Sequence, residues 1–279
     1  MSVSAIILAS ALPVFDFATN SIARRVEESD PAVCLSLFND YPKCVRRSES
    51  FSISRSALST NFWLKGVDFS CVSPWNDSCG IQRAGTLISK RHVIFAKHFP
   101  LWKGVRILFV GADGGVCPCY IDRTKEIPDS DVMIASLENE VTPNIHPAKI
   151  LPTDYETFVG DGRGLPVAIF NQNREVFLAD VSILTIIKGV SRSMGCKLPK
   201  VESHKRFNKR VGPGDSGCPA FILIGNEPIL LLCLHRGGYG VGPLVHGYRK
   251  EIQKAMDELC PGYKLETFDF TKVRCDDGK

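Results

Sequence analysis

From about residue 62 onward the chain is built of short apolar runs separated by turn residues. Residues 84–96 (AGTLISKRHVIFA), 104–115 (GVRILFVGADGG), 131–137 (DVMIASL), 165–187 (LPVAIFNQNREVFLADVSILTII) and 219–235 (PAFILIGNEPILLLCLH) are rich in Val, Ile, Leu and Phe. Such runs, bounded by turn residues, predict strands. Asn171-Gln172-Asn173 and Gly225-Asn226 fall where hairpins would turn. Only residues 248–259 (YRKEIQKAMDEL) carry a helical period here, with Ile252, Met256 and Leu259 on one face. Many short strands and one late helix predict an all-β fold, barrel or sandwich.

The first 60 residues differ in character. An apolar start, MSVSAIILASALPVF, is followed by charged and Ser-rich stretches, NSIARRVEESD and RRSESFSISRSALST. This reads as a leader or propeptide-like extension. The apolar start has the length of a secretory h-region, but no Lys or Arg precedes it and Ala9-Ser10-Ala11 comes early for a cleavage site. A secreted protein and a buried N-terminal segment both remain open. The end, FTKVRCDDGK, is polar and expected to fray.

Composition narrows the function classes. Hydrophobic residues make up 44% and charged residues 23% of the 279, an ordinary globular balance. No apolar run is long enough to span a membrane, so no membrane span is expected. The net charge of +4 gives no reason to expect nucleic acid. The segment Lys188–Arg210 is basic, with Glu202 its one acid; it reads as a solvated loop or an attractor of polyanions. Asn76-Asp77-Ser78 fits a glycosylation acceptor. Eleven cysteines occur without a CxxC pair, which argues against a zinc ribbon or thioredoxin motif. Cys71 and Cys79 bracket a short loop and are the best local disulfide candidates; buried thiols are the alternative.

The most pointed chemistry lies in residues 211–221, VGPGDSGCPAF. Glycines and prolines make this run a poor helix and a poor strand, so the backbone bends there and presents Ser216. A serine hydroxyl needs a base, and an imidazole base needs a partner that fixes its tautomer. Among six histidines, His98 ends a strand-like run before Pro100 and so can face a cleft, whereas His92 lies inside the run and reads as packing. Asp131 enters the apolar run VMIASL; Asp129, after Pro128, looks like a turn residue.

Three segments resemble the trypsin-like serine proteases of the chymotrypsin fold (peptidase family S1). AGTLIS followed by AKH resembles that family's histidine segment, DSDVMIASL its aspartate segment, and GPGDSGCPAF its GDSGGP nucleophile loop. They come in the family's order, and the resemblance covers roughly residues 80–258. It implies two six-stranded antiparallel β-barrels, about residues 61–150 and 151–248, then the helix 248–259 and a tail 261–279. It further implies Ser216 as nucleophile, His98 as general base, Asp131 as its orienter, and the N–H groups of Gly214 and Ser216 as oxyanion hole. Asp215 would be buried and organise the loop. The implied activity is endopeptidase hydrolysis through an acyl-enzyme, on peptide or protein substrates, by a monomer with no cofactor and no metal.

Departures from the family's pattern matter. Phe99 follows His98 where a cysteine is common, and Cys218 stands for the second glycine of GDSGGP; it reads as packing or a disulfide partner. No IVGG-like segment supplies a new N-terminal amine for Asp215. Processing elsewhere, another cationic partner, or a loop that forms without cleavage are the alternatives. LLCLHRGG, residues 231–238, is similar to the IHWGG segment of glutamyl endopeptidases, which implies His235 as a ligand for an acidic substrate residue. Arg210, six positions before Ser216, would join it from the pocket floor. A protease-fold binding protein without activity is the rival reading. The nucleophile-elbow hydrolases are disfavoured, because the run reads GDSGC and the alternating strand–helix pattern is missing.

Overall fold

The computed structural model describes residues 3–29, 35–38, 58–73, 75–76, 83–159, 162–187 and 191–273. Cys79, Asp77, Ser78 and Lys188, and with them parts of the expected Cys71–Cys79 bridge, glycosylation site and basic segment, lie outside these residues.

The chain is β-rich, and its described residues form two sheets of seven strands. The first contains β1 (Val72–Ser73), β2 (Trp75–Asn76), β3 (Gly85–Ser89), β4 (His92–Ala96), β5 (Arg106–Val110), β6 (Val116–Glu126) and β7 (Val132–Leu137). Its order is β1-β3-β4-β7-β6-β5-β2, every pair antiparallel. The two edge pieces β1 and β2 are nearly consecutive along the chain, so one short segment pairs with β3 on one side and β5 on the other. Counting that segment once gives a nearly closed barrel of six antiparallel strands. Ser73 Oγ adds a hydrogen bond to the Leu108 carbonyl across the closure.

The second sheet holds β8 (Lys149–Ile150), β9 (Pro166–Phe170), β10 (Val176–Ile187), β11 (Ser191–Lys197), β12 (Pro219–Ile224), β13 (Glu227–Cys233) and β14 (Val241–Pro243), in the order β14-β11-β10-β9-β12-β13-β8. Only β8 is parallel to its neighbour. The expected apolar runs appear as strands, and two of them, residues 165–187 and 219–235, are hairpins turning at Asn171–Glu175 and Gly225-Asn226. Gly225 has φ +62°, which a two-residue turn requires there. β3, β4, β5, β7, β9 and β12 are buried along their whole length, the reason their sequences run apolar instead of alternating. β6 alternates more, with Cys117, Cys119 and Ile121 inward.

Among the described residues there are four α-helices, α1 (Val3–Glu28), α2 (Glu156–Val159), α3 (Glu202–Lys205) and α4 (Arg249–Leu259). The late helical period is α4; its face Ile252, Ala255, Met256 and Leu259 is buried over β6 and β7. The second half of the chain therefore ends by covering the first sheet. The leader-like extension contains α1, which lies against β12 and β9. Ala18, Ile22 and Val26, spaced four apart, are buried in the common core. Arg25 Nη1 donates to the Lys65 carbonyl at 3.0 Å and Arg206 Nη2 to the Val26 carbonyl at 2.7 Å. The polar-looking tail is packed as far as it is described: Phe268 N donates to Ile150 O at 2.9 Å, and Phe270 stacks on Phe158 at 4.7 Å.

An aromatic cluster ties the segment entering the first sheet to the second. Phe69 lies 4.9 Å from Phe170 and 5.7 Å from Phe221, ring centre to ring centre. Such edge-to-face and tilted pairs add roughly 1 kcal/mol each beyond burial. Among the described residues, Cys71, Cys117, Cys119, Cys196, Cys218, Cys233 and Cys260 are free thiols, most of them buried, so this part of the core is held by packing.

Candidate active site

β4 ends at Ala96, and the chain turns through Lys97 and His98, with Phe99 N donating to Ala96 O at 3.1 Å. Asp131 sits just before β7, which pairs with β4, so the two chain segments emerge side by side. Three bonds fix them together. Lys97 N donates to Asp131 O at 3.0 Å, His98 N to Asp131 Oδ1 at 3.0 Å, and His98 Nδ1 to Asp131 Oδ2 at 2.6 Å. That arrangement dictates the tautomer: the proton on Nδ1 faces the carboxylate, leaving Nε2 to accept. Nε2 lies 2.8 Å from Ser216 Oγ. Ser216, His98 and Asp131 are thus brought together from segments 118 and 33 residues apart. Asp129 is indeed a turn residue, with φ +53°, and His92 is buried.

The serine comes from the second sheet, in the loop leading into β12. Gly217 N donates to Leu234 O at 2.7 Å, and Leu234 N to Cys218 O at 2.8 Å, stitching the loop to the end of β13. A Cβ on Gly217 would lie 2.8 Å from Ala84 O and 3.4 Å from Ala96 N, so the loop's backbone presses on the first sheet beside β3 and β4. The site is therefore the point where the two sheets meet. Gly214 has φ +94°, a backbone conformation that side chains resist. Among the described residues, no internal acceptor takes the N–H of Gly214 or of Ser216.

Asp215 is buried, and burial pushes its carboxyl up from the ordinary value. Two amide donors oppose that effect: Gln172 N reaches Oδ1 at 2.9 Å and Gly212 N reaches Oδ2 at 2.7 Å. No cation pairs with Asp215 among the described residues. Cys218 is buried, and burial holds its thiol well above the usual range, so it packs as an unreactive thiol. Cys233, also buried, is pushed up to about 12.

The two residues expected to read an acidic substrate are not equivalent. Arg210 is exposed, its guanidinium 5.7 Å from the ring centre of Tyr239. His235 is half-buried and puts Nδ1 3.6 Å from Asp131 Oδ2. Burial lowers its pKa, with His98 and Arg236 acting the same way and Asp131 opposing. A second imidazole–carboxylate pair, His146 with Asp68 at 2.6 Å, has no hydroxyl on the free ring nitrogen among the described contacts. No group of three or more His, Cys, Asp or Glu side chains suited to a metal occurs among the described residues.

Gln172 is the site residue that sequence reasoning missed. It reads as one of three polar turn residues, and nothing in the run signals that it reaches a loop 41 residues away. Comparison with protein-family models and with curated proteins finds no match for this chain.

Proposed function

We propose that the protein is a serine endopeptidase of the chymotrypsin-like type, its second sheet forming the second barrel of that fold. The observation that carries this reading is the continuous chain Ser216 Oγ–His98 Nε2, 2.8 Å, and His98 Nδ1–Asp131 Oδ2, 2.6 Å. Ser216 Oγ attacks the substrate carbonyl carbon while Nε2 takes its proton. The imidazolium so formed is stabilised by Asp131. The carbonyl oxygen becomes an oxyanion that the N–H groups of Gly214 and Ser216 receive. Collapse breaks the C–N bond, and His98 returns the proton to the leaving amine. Water then repeats the sequence on the acyl-enzyme, giving the acid and free Ser216. All charge development is met by groups of the chain itself.

An acidic-residue preference through His235 and Arg210 belongs to the same reading, but the geometry favours His235 as a neighbour of Asp131. Burial disfavours charge on the His235 ring, so such a preference would lean more on Arg210.

A fluorophosphonate probe tests the reading, because it reacts with a serine that a base and an oxyanion hole activate. Labelling of the intact protein, lost in Ser216→Ala, is expected. Folded protein that stays unlabelled would turn the reading to a protease-fold binding protein.

A further inference from the structure

We infer that Gln172 is a positioning residue that latches the oxyanion loop, holding the Pro213–Gly214 peptide with its N–H toward the substrate. The inference rests on the protease reading. Gln172 Nε2 donates to the Pro213 carbonyl at 2.8 Å. The peptide between Pro213 and Gly214 is planar and trans, so its C=O and N–H point in opposite directions. Capturing the carbonyl on one side fixes the Gly214 N–H on the other. Rotation of that single peptide would aim a carbonyl oxygen at the developing oxyanion and reverse its electrostatic effect.

The same residue holds the loop a second time. Its backbone N–H donates to Asp215 Oδ1 at 2.9 Å, while Gly212 N takes Oδ2 at 2.7 Å. The Gln172 side chain lies flat along the loop: a Cβ on Gly214 would come within 2.5 Å of Nε2. Gly214 is thus required for its φ of +94° and for the space that Gln172 fills.

A latch works only if its mounting is stiff. Gln172 sits in the turn between β9 and β10, and Asn171 braces that turn. Asn171 Oδ1 accepts from Asn173 N and Glu175 N, both at 3.0 Å, and Asn171 Nδ2 donates to Glu175 Oε2 at 2.9 Å. Asn171 N donates to Glu175 O at 3.1 Å, and Lys209 pairs with Glu175 at 2.5 Å. The latch is made wholly within the chain, so the uncleaved protein carries a set oxyanion loop and needs no newly made terminal amine.

The test uses the full chain with two variants of nearly constant volume. Gln172→Met deletes the donor and keeps the backbone bond to Asp215; Gln172→Glu puts a repelling oxygen against the Pro213 carbonyl. Removing an oxyanion donor outright costs about 10²–10³ in kcat. Losing its orientation is expected to lower kcat, and the rate of fluorophosphonate labelling, by about tenfold or more in Met and further in Glu. KM should stay within about twofold, because ground-state binding does not use the oxyanion. Wild-type rates in both variants, or a loss confined to KM, would overturn the latch. If either variant fails to fold, the other carries the same comparison. If both fail, the spectrum of the wild-type protein decides: a Gln172 side-chain amide that exchanges freely with solvent overturns it, and a protected one supports it. Absence of labelling in the wild-type chain would instead overturn the protease reading itself, with the latch's role in it.

Discussion

His98 and His235 converge on one carboxylate oxygen: Asp131 Oδ2 lies 2.6 Å from Nδ1 of the first and 3.6 Å from Nδ1 of the second. Only the first is a hydrogen bond of good length. In the proposed mechanism the second ring adds a polar contact to the group that would orient the base. If that is its work, His235→Ala should lower kcat by about fivefold, the equivalent of roughly 1 kcal/mol for a long, half-exposed contact. The loss should be equal for peptides carrying Glu, Phe or Lys on the acyl side. A loss confined to Glu peptides would return His235 to the substrate pocket. The pH dependence has a sign as well. With its pKa lowered chiefly by burial, His235 takes up charge only at more acid pH than an ordinary imidazole. The cation then opposes formation of the His98 imidazolium, so activity should fall more steeply on the acid side in the parent than in His235→Ala.

The N-terminal helix offers a stability prediction. Ile22 is 1% exposed and lies between Ala18 and Val26 on the face that α1 turns to the second sheet. Ile22→Ala should cost about 2–5 kcal/mol, the usual range for emptying a core isoleucine. Urea unfolding measures it directly. A cost below about 0.5 kcal/mol, the range of surface substitutions, would mean that α1 does not dock in solution.

What the sequence made legible, and what it hid, divides by range. Ser216, His98 and Asp131 each stand in a local run whose order and turn chemistry are visible, and the apolar runs announced most strands. α1 was harder, because a dozen apolar residues at a terminus read equally as leader or as core; the four-residue spacing of Ala18, Ile22 and Val26 was the available signal. The packing of residues 268–273 was obscured by the polar run that begins there, although Phe268 and Phe270 flank its start. Gln172 was not legible. Its role depends on a hairpin turn meeting a loop from elsewhere in the chain, and a polar residue in a turn is what any hairpin shows. His235 was visible as a histidine at a strand end, but which carboxylate it faces is settled only where the end of β13 meets β4 of the other sheet.

A pH-dependent stability follows from His92. The ring is fully buried in β4, with Nδ1 2.8 Å from Ser89 Oγ. Burial first, then Arg91, lowers its pKa to about 4, against the pull of Asp257 and a backbone carbonyl the other way. The unfolded chain, with an ordinary value near 6.5, binds the proton that the folded chain refuses. Stability from this group is fully present above about pH 6.5 and is lost as pH falls toward 4, up to roughly 3 kcal/mol. His204, lowered chiefly by burial, acts in the same direction. Urea midpoints of the parent and of His92→Asn between pH 7 and 4 isolate the first contribution. The parent should lose more stability over that interval, and equal slopes would refute the assignment.

Gly217 is where the Ser216 loop bears on the first sheet, and on the protease reading its substitution should damage both stability and catalysis. Its φ of +86° strains any side chain, at about 1–3 kcal/mol. An added Cβ also meets the Ala84 carbonyl at 2.8 Å, and a backbone oxygen in a buried strand entry cannot swing aside as a flexible side chain would. The loop must therefore move away from β4, carrying Ser216 off His98, which is fixed to the first sheet through Asp131. A displacement near 1 Å costs about a hundredfold in rate. Gly225→Ala is the control: φ is +62° and the nearest neighbour, Phe17, lies 4.0 Å away. It should cost about 1 kcal/mol of stability and leave the rate unchanged. Gly217→Ala should lose at least about 1 kcal/mol and about a hundredfold in kcat. Equal, full activity in the two variants would mean that the contact between the sheets does not set the distance from Ser216 to His98.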